Sequence, residues 1–190
     1  KEPYHLLHPT DLVLSKARLY PSLLEDGEKF PCVLVLPGGG YGGVSHQEGP
    51  PVAGWFNSMG ISAVVLEYTV SDGAAIYPEP QQQAVYALRW LRQNADKLNI
   101  DPDKIGVIGF SAGGHLAACV SHGFDRKEWL LDPDQTLAGI SARPDASLLC
   151  YSVLTSEHAF AHTGSFKNLL GDLYENSIKE TVCWPKNVHA

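Results

Sequence analysis

Residues 104–115 read KIGVIGFSAGGH. An apolar run rich in Ile and Val ends at Phe110, and small residues follow directly. Gly109-Phe110-Ser111-Ala112-Gly113 fits G-x-S-x-G, the pattern of a serine exposed on a sharp turn between a strand and a helix. Glycines at 109 and 113 carry no side chain, so strand and helix can approach at an angle that larger residues would block. The hydroxyl is left above the C-terminal end of the strand. The competing interpretation is a plain glycine-rich turn with an incidental serine.

Working outward, similar short apolar runs recur. PCVLVLP at 31–37, ISAVVLEY at 61–68 and DASLLCYSV at 145–153 match KIGVIGF at 104–110 in length and composition, as expected for strands buried on both faces. LVLSKARLY at 12–20 alternates well enough for an edge strand. Helical segments lie between them. PPVAGWFNSMG at 50–60 puts Val52, Trp55, Phe56 and Met59 on one face and stops at Gly60. Residues 80–98 place Ala84, Leu88, Leu91, Ala95 and Leu98 at spacings of three and four. HLAACVSHG at 115–123 begins on two glycines and ends on another. Such alternation predicts an α/β fold, a parallel sheet with helices on both faces. Residues 124–144 are polar and carry Pro133 and Pro144, which predicts a surface excursion. YENSIKE at 174–180 has helical character, but 174–190 as a whole reads as an irregular tail.

The bulk numbers bound the function. With 190 residues, 44% of them hydrophobic, the chain can bury one sizeable core, and a single domain over 1–190 is expected. Fourteen basic residues against 21 acidic give a net charge of −7, which argues against a nucleic-acid surface. No apolar stretch reaches the ~18 residues of a membrane helix, so no membrane partner is expected. The N-terminal stretch KEPYHLLHPTDL has no apolar signal region, and a leader removed before Lys1 would leave no trace. Cys32, Cys119, Cys150 and Cys183 are scattered, without metal-ligand spacing. They read as buried, reduced thiols, which leans the location towards the cytoplasm. No metal and no organic cofactor is called for.

A second motif supports catalysis. Pro37-Gly38-Gly39-Gly40-Tyr41-Gly42-Gly43 follows the run at 31–37. Ester hydrolysis builds negative charge on a carbonyl oxygen, and a preorganised backbone N–H at that oxygen lowers the barrier by roughly 3–4 kcal/mol. Gly39 and Gly40 can bring such groups close, and Ala112, just after the serine, supplies another. A phosphate cradle fits less well. There is no G-x-x-x-x-G-K-[ST], and GGGYGG lacks the G-x-G-x-x-G spacing with a helix directly behind it.

PGGGYGGVSHQEG, DPDKIGVIGFSAGGHLAA, ARPDASLLCYSV and HTGSFKNLLG at 162–171 together resemble the alpha/beta-hydrolase superfamily. More narrowly they are similar to its acetylesterase, xylan-esterase-like or feruloyl-esterase-like branch, over about residues 10–172. The resemblance implies a three-layer α/β-hydrolase fold. It implies Ser111 as nucleophile and an oxyanion hole of Gly39, Gly40 and Ala112. Its implied substrate is a small ester or an acylated carbohydrate, with acetyl as the acyl group. Pro37 stands where the wider superfamily often has His.

In this superfamily an acid and then a histidine follow the nucleophile along the chain. Fewer than half of the residues follow Ser111, and they hold one convincing strand, 145–153. The fold is therefore expected to be truncated after that strand. Substitutes within the chain are His162 paired with Glu157, or His115 one helical turn beyond Ser111. His122, near a helix end, and His189, in the tail, are weaker candidates. His46 and Glu48 read as pins for the glycine-rich loop. A missing last strand leaves an unpaired apolar edge, so self-association through that edge is expected. Two functions follow. One is a serine-dependent ester hydrolase. The other is a catalytically silent hydrolase-fold chain acting through binding.

Overall fold

Alternation inside the apolar runs sets the two faces of the sheet. The computed structural model describes residues 5–156, 159, 161–175 and 178–184. Six strands form one sheet: β1 (His5–Leu6), β2 (Arg18–Ser22), β3 (Phe30–Leu36), β4 (Ser62–Glu67), β5 (Ile100–Phe110) and β6 (Ser147–Cys150). Their order is β1-β2-β4-β3-β5-β6. The β1–β2 and β2–β4 pairs are antiparallel, and β4–β3, β3–β5 and β5–β6 are parallel. The sheet is thus mixed and mostly parallel. Its order carries chain connections outwards in both directions from the centre, and the C-terminal ends of β3 and β5 lie side by side at the crevice.

Helix α1 (Pro50–Ser58) lies on one face, over Val33, Val35, Ala63, Val65 and Ile108. The other face, with Cys32, Leu34, Leu36, Val64, Leu66 and Val107, buries the main core. Helices α2 (Glu79–Gln93) and α3 (Ala112–Gly123) cover it, and α4 (Thr163–Leu170) adds Phe166, Leu169 and Leu170. This is the three-layer arrangement expected from the sequence. Cys32, Cys119 and Cys183 are buried, Cys150 is partly buried, and none of the four is in a disulfide among the described residues.

Several local expectations change. Residues 12–20 are not one strand. The Asp11 carboxylate accepts the N–H groups of Val13 and Leu14, which coils Leu14–Lys16 into a 3₁₀ turn before β2 begins. The buried face of α1 is Ala53 and Phe56, while Trp55 and Met59 are exposed. The run at 145–153 pairs only over Ser147–Cys150, and Leu148 and Leu149 are 43% and 41% exposed. The reason is topological. Among the described residues β6 is an edge strand with a neighbour on one side only.

The stretch read as a tail is partly built into the core. A short helix α5 (Ile178–Thr181) precedes Val182, Cys183 and Trp184, all three buried. Trp184 stacks on His122 and donates its indole N–H to Cys119 Sγ at 3.2 Å. No helix among the described residues is long and apolar enough to cross a membrane.

Candidate active site

The turn between β5 and α3 places Ser111 at φ 51°, ψ −116°, a conformation that side chains other than glycine rarely adopt. The flanking glycines make it possible. A Cβ at Gly109 would fall on Gly113 O, one at Gly113 on Leu36 O and Pro37 O, and one at Gly114 on Ser152 Oγ. Strand β3 and the turn therefore meet backbone to backbone, and the Ser152 side chain, just after β6, packs directly on Gly114. Ser111 N donates to Cys150 O at 2.9 Å, while Ser111 O accepts from His115 N at 3.1 Å and Val153 N at 3.2 Å.

The glycine-rich loop runs past this turn. A Cβ on Gly38 would lie 3.1 Å from Ser111 Cβ and 2.8 Å from Phe110 O. Gly39, Gly40 and Tyr41 all have positive φ, at 130°, 63° and 58°. Gly39 O accepts from Gly42 N and Gly43 N, both at 3.1 Å, and closes the loop on itself. Distant residues hold it from outside. Asn168 Nδ2 donates to Gly40 O at 2.9 Å, Tyr68 Oη to Pro37 O, and Ser71 N to Tyr41 O at 2.7 Å. Among the described residues, the N–H groups of Gly39, Gly40 and Ala112 donate to nothing.

The histidines named from the sequence sit in two different environments. His115 is fully buried, and burial pushes its pKa down to about 4, so the ring is neutral near pH 7. Nε2 faces Val182 O at 2.7 Å and must donate, since a carbonyl only accepts. Nδ1 then accepts from Tyr41 Oη at 2.7 Å. Both nitrogens are occupied away from Ser111, so His115 in this position is no base. Burial likewise drives the Tyr41 hydroxyl well above its ordinary pKa, and it stays protonated.

His162 caps the start of α4. Its Nδ1 accepts Ser165 N at 3.3 Å and lies 2.7 Å from Ser165 Oγ. Nδ1 therefore carries the lone pair, and the neutral ring carries its proton on Nε2. The ring flanks the glycine loop, with Cε1 3.9 Å from where a Gly40 Cβ would stand. Glu157 and His189 lie outside the described residues. His122 faces Ala118 O and Trp184. No hydrogen bond among the described residues joins Ser111 Oγ to a histidine. No group of three or more His, Cys, Asp or Glu among them is placed to hold a metal.

The supports Tyr41, Tyr68, Asn168 and Tyr151 were not singled out from the sequence. Tyr41 and Asn168 lie inside the GGGYGG and HTGSFKNLLG blocks, which was the available signal. Val153, bonded to Ser111 O, also lines a cleft of about 390 Å³ with Tyr151, Thr155 and His162.

The model of the BD-FAE family matches residues 20–142, which include both glycine motifs and Ser111. The chain belongs to the BD-FAE family. Its fold is that of the alpha/beta hydrolases. The crystal structure of an acetyl ester-xyloside bifunctional hydrolase from Caldicellulosiruptor lactoaceticus superposes with a TM-score of 0.80 at 42% identity. That match covers 90% of this chain and 61% of the other. Endo-1,4-beta-xylanase B of Butyrivibrio fibrisolvens is 37% identical over 155 residues, 80% of this chain and 24% of the other. An acetylxylan esterase of Xylanibacter ruminicola is 31% identical over 140 residues, 73% of this chain and 26% of the other. The chain thus spans about a quarter of the length of these two curated relatives.

Proposed function

We propose that the chain carries the nucleophile and oxyanion hole of a serine-dependent carboxylic ester hydrolase. Its substrates are small acyl esters, with acetyl groups on carbohydrate foremost. The observation that carries this is Ser111 on its strained turn, with the N–H groups of Gly39, Gly40 and Ala112, unpartnered among the described residues, beside it. Ser111 Oγ attacks the ester carbonyl carbon. Charge moves to the carbonyl oxygen, where those donors meet it. The alcohol leaves with a proton, and water releases the acid from the acyl-enzyme. The attacking hydroxyl must give its proton to a base. Neither His115 nor His162 offers a lone pair towards it, so we assign the base to a histidine outside the described residues. The acetylxylan esterase and the acetyl ester-xyloside hydrolase support the acyl and alcohol preference.

The same lack of a described base favours a second reading, a catalytically silent hydrolase fold that acts through binding. Hydrolysis of p-nitrophenyl acetate by the 190-residue chain and by Ser111→Ala, both verified as folded, separates the two. Loss of turnover in the variant is expected for the esterase. Equal rates overturn turnover by this chain and favour binding.

A further inference from the structure

Glu48 lies in a 3₁₀ turn (His46–Glu48) just after the glycine-rich loop, and both its carboxylate oxygens are engaged. Oε2 accepts Gly38 N–H at 2.7 Å, and Oε1 accepts the Tyr151 hydroxyl at 2.7 Å. The two partners come from opposite walls of the site. Gly38 is wedged between this carboxylate and the nucleophile turn, its Cβ position 2.8 Å from Glu48 Oε2 and 3.1 Å from Ser111 Cβ. Tyr151 directly follows Cys150, whose carbonyl takes Ser111 N–H, and its ring lies 5.8 Å from that of Phe110. Tyr151 also has φ 38°, a strained value for a bulky residue, and its side chain is 68% exposed. Backbone bonds on either side of it, Ser111 N to Cys150 O and Val153 N to Ser111 O, hold the chain in that turn.

The bridge has a directional consequence. A carboxylate only accepts, so it fixes the Pro37–Gly38 peptide with its N–H turned towards Glu48. Among the described residues, the next two N–H groups, of Gly39 and Gly40, are the ones left without partners. We propose that Glu48 is a positioning residue of the site, its carboxylate bridge from Gly38 to Tyr151 holding the glycine-rich loop in register with Ser111. This rests on the assignment of that loop as an oxyanion hole. Both hydrogen bonds are short, as bonds to a carboxylate are. The Tyr151 hydroxyl, pushed up to about 12 chiefly by that hydrogen bond, remains a donor across the neutral range.

Two readouts test this without requiring turnover. Phenylboronic acid binds as a transition-state mimic: boron accepts the Ser111 oxygen, an Oγ–B bond forms, and the hydroxyl proton passes to solvent. Its Kd is measured for the 190-residue chain and for Ser111→Ala, Glu48→Ala, Tyr151→Phe and Glu48→Ala/Tyr151→Phe. Amide exchange of the peptide 37–44 is followed in parallel. Glu48→Ala should weaken the boronate by about tenfold and speed exchange in 37–44. Tyr151→Phe should weaken it less, and the double variant should be no worse than Glu48→Ala, because both remove one bridge. Unchanged exchange in Glu48→Ala, or fully additive losses, overturns the proposal. If wild type and Ser111→Ala bind boronate equally, the hydrolase reading is what fails. Loop exchange in Glu48→Ala then decides the bridge by itself: faster exchange upholds it, unchanged exchange sinks it.

Discussion

Tyr41 Oη donates to His115 Nδ1 at 2.7 Å, in the fully buried layer beneath the glycine-rich loop. Through His115 Nε2 the chain of bonds reaches Val182 O, so the loop beside Ser111 is tied to the end of the described chain. The histidine closest in sequence to the nucleophile is thereby a structural link.

This link makes stability depend on pH. Burial holds His115 near 4, against an ordinary value of 6.5. As pH falls through that window the unfolded chain takes up the proton first, so stability declines, and below about 4 the decline from this group ends. The loss is on the order of 3 kcal/mol. Urea unfolding at pH 7 and pH 4.5 should show it, and His115→Gln should have a shallower dependence. An equal slope in the variant would remove His115 as the cause.

Tyr41→Phe keeps the packed ring and deletes the hydroxyl. His115 Nδ1 is then left with Cys119 Sγ alone, a weak donor at 3.9 Å, at a cost of about 1–3 kcal/mol. We expect a lower urea midpoint with an unchanged m-value. Faster amide exchange should appear in 38–43, because Tyr41 anchors that loop. A midpoint equal to wild type would show that the bond contributes nothing net.

At Gly113 even one methyl group is too many. Its Cβ would overlap Leu36 O and Pro37 O, which are backbone atoms at the C-terminal end of the central strand β3 and cannot swing away. Gly113→Ala should destabilise by about 2 kcal/mol or more, or fail to fold. Gly54→Ala is the control, since nothing lies within 4 Å of a Cβ there. Similar midpoints for the two variants would contradict the close approach of α3 to β3.

Trp184 is 2% exposed and packs on His122 and Cys119. Trp184→Ala should cost about 3–5 kcal/mol, as truncation of a buried tryptophan does. Thermal unfolding by circular dichroism reads this directly. A shift of Tm within error would place 182–184 outside the cooperative core.

The sequence by itself determined the layer architecture and the location of the nucleophile turn. Four of the strands and three of the helices lie where apolar period and glycine punctuation put them, because those signals come from neighbours along the chain. The places of Ser111, Gly39 and Gly40 on their turns also follow from local glycine spacing. Only the tertiary structure decided what supports that turn. Glu48 and Tyr151 are 103 positions apart, Tyr41 and His115 are 74 apart, and Gly40 and Asn168 are 128 apart. No local pattern encodes such pairs. They exist because a mixed sheet brings the ends of β3, β5 and β6 together, and buried polar groups there must find partners or lose the free energy of their hydration. The same constraint turned His115 from a candidate base into a strut. It also drew Val182 and Trp184 out of an apparently patternless tail and into the core.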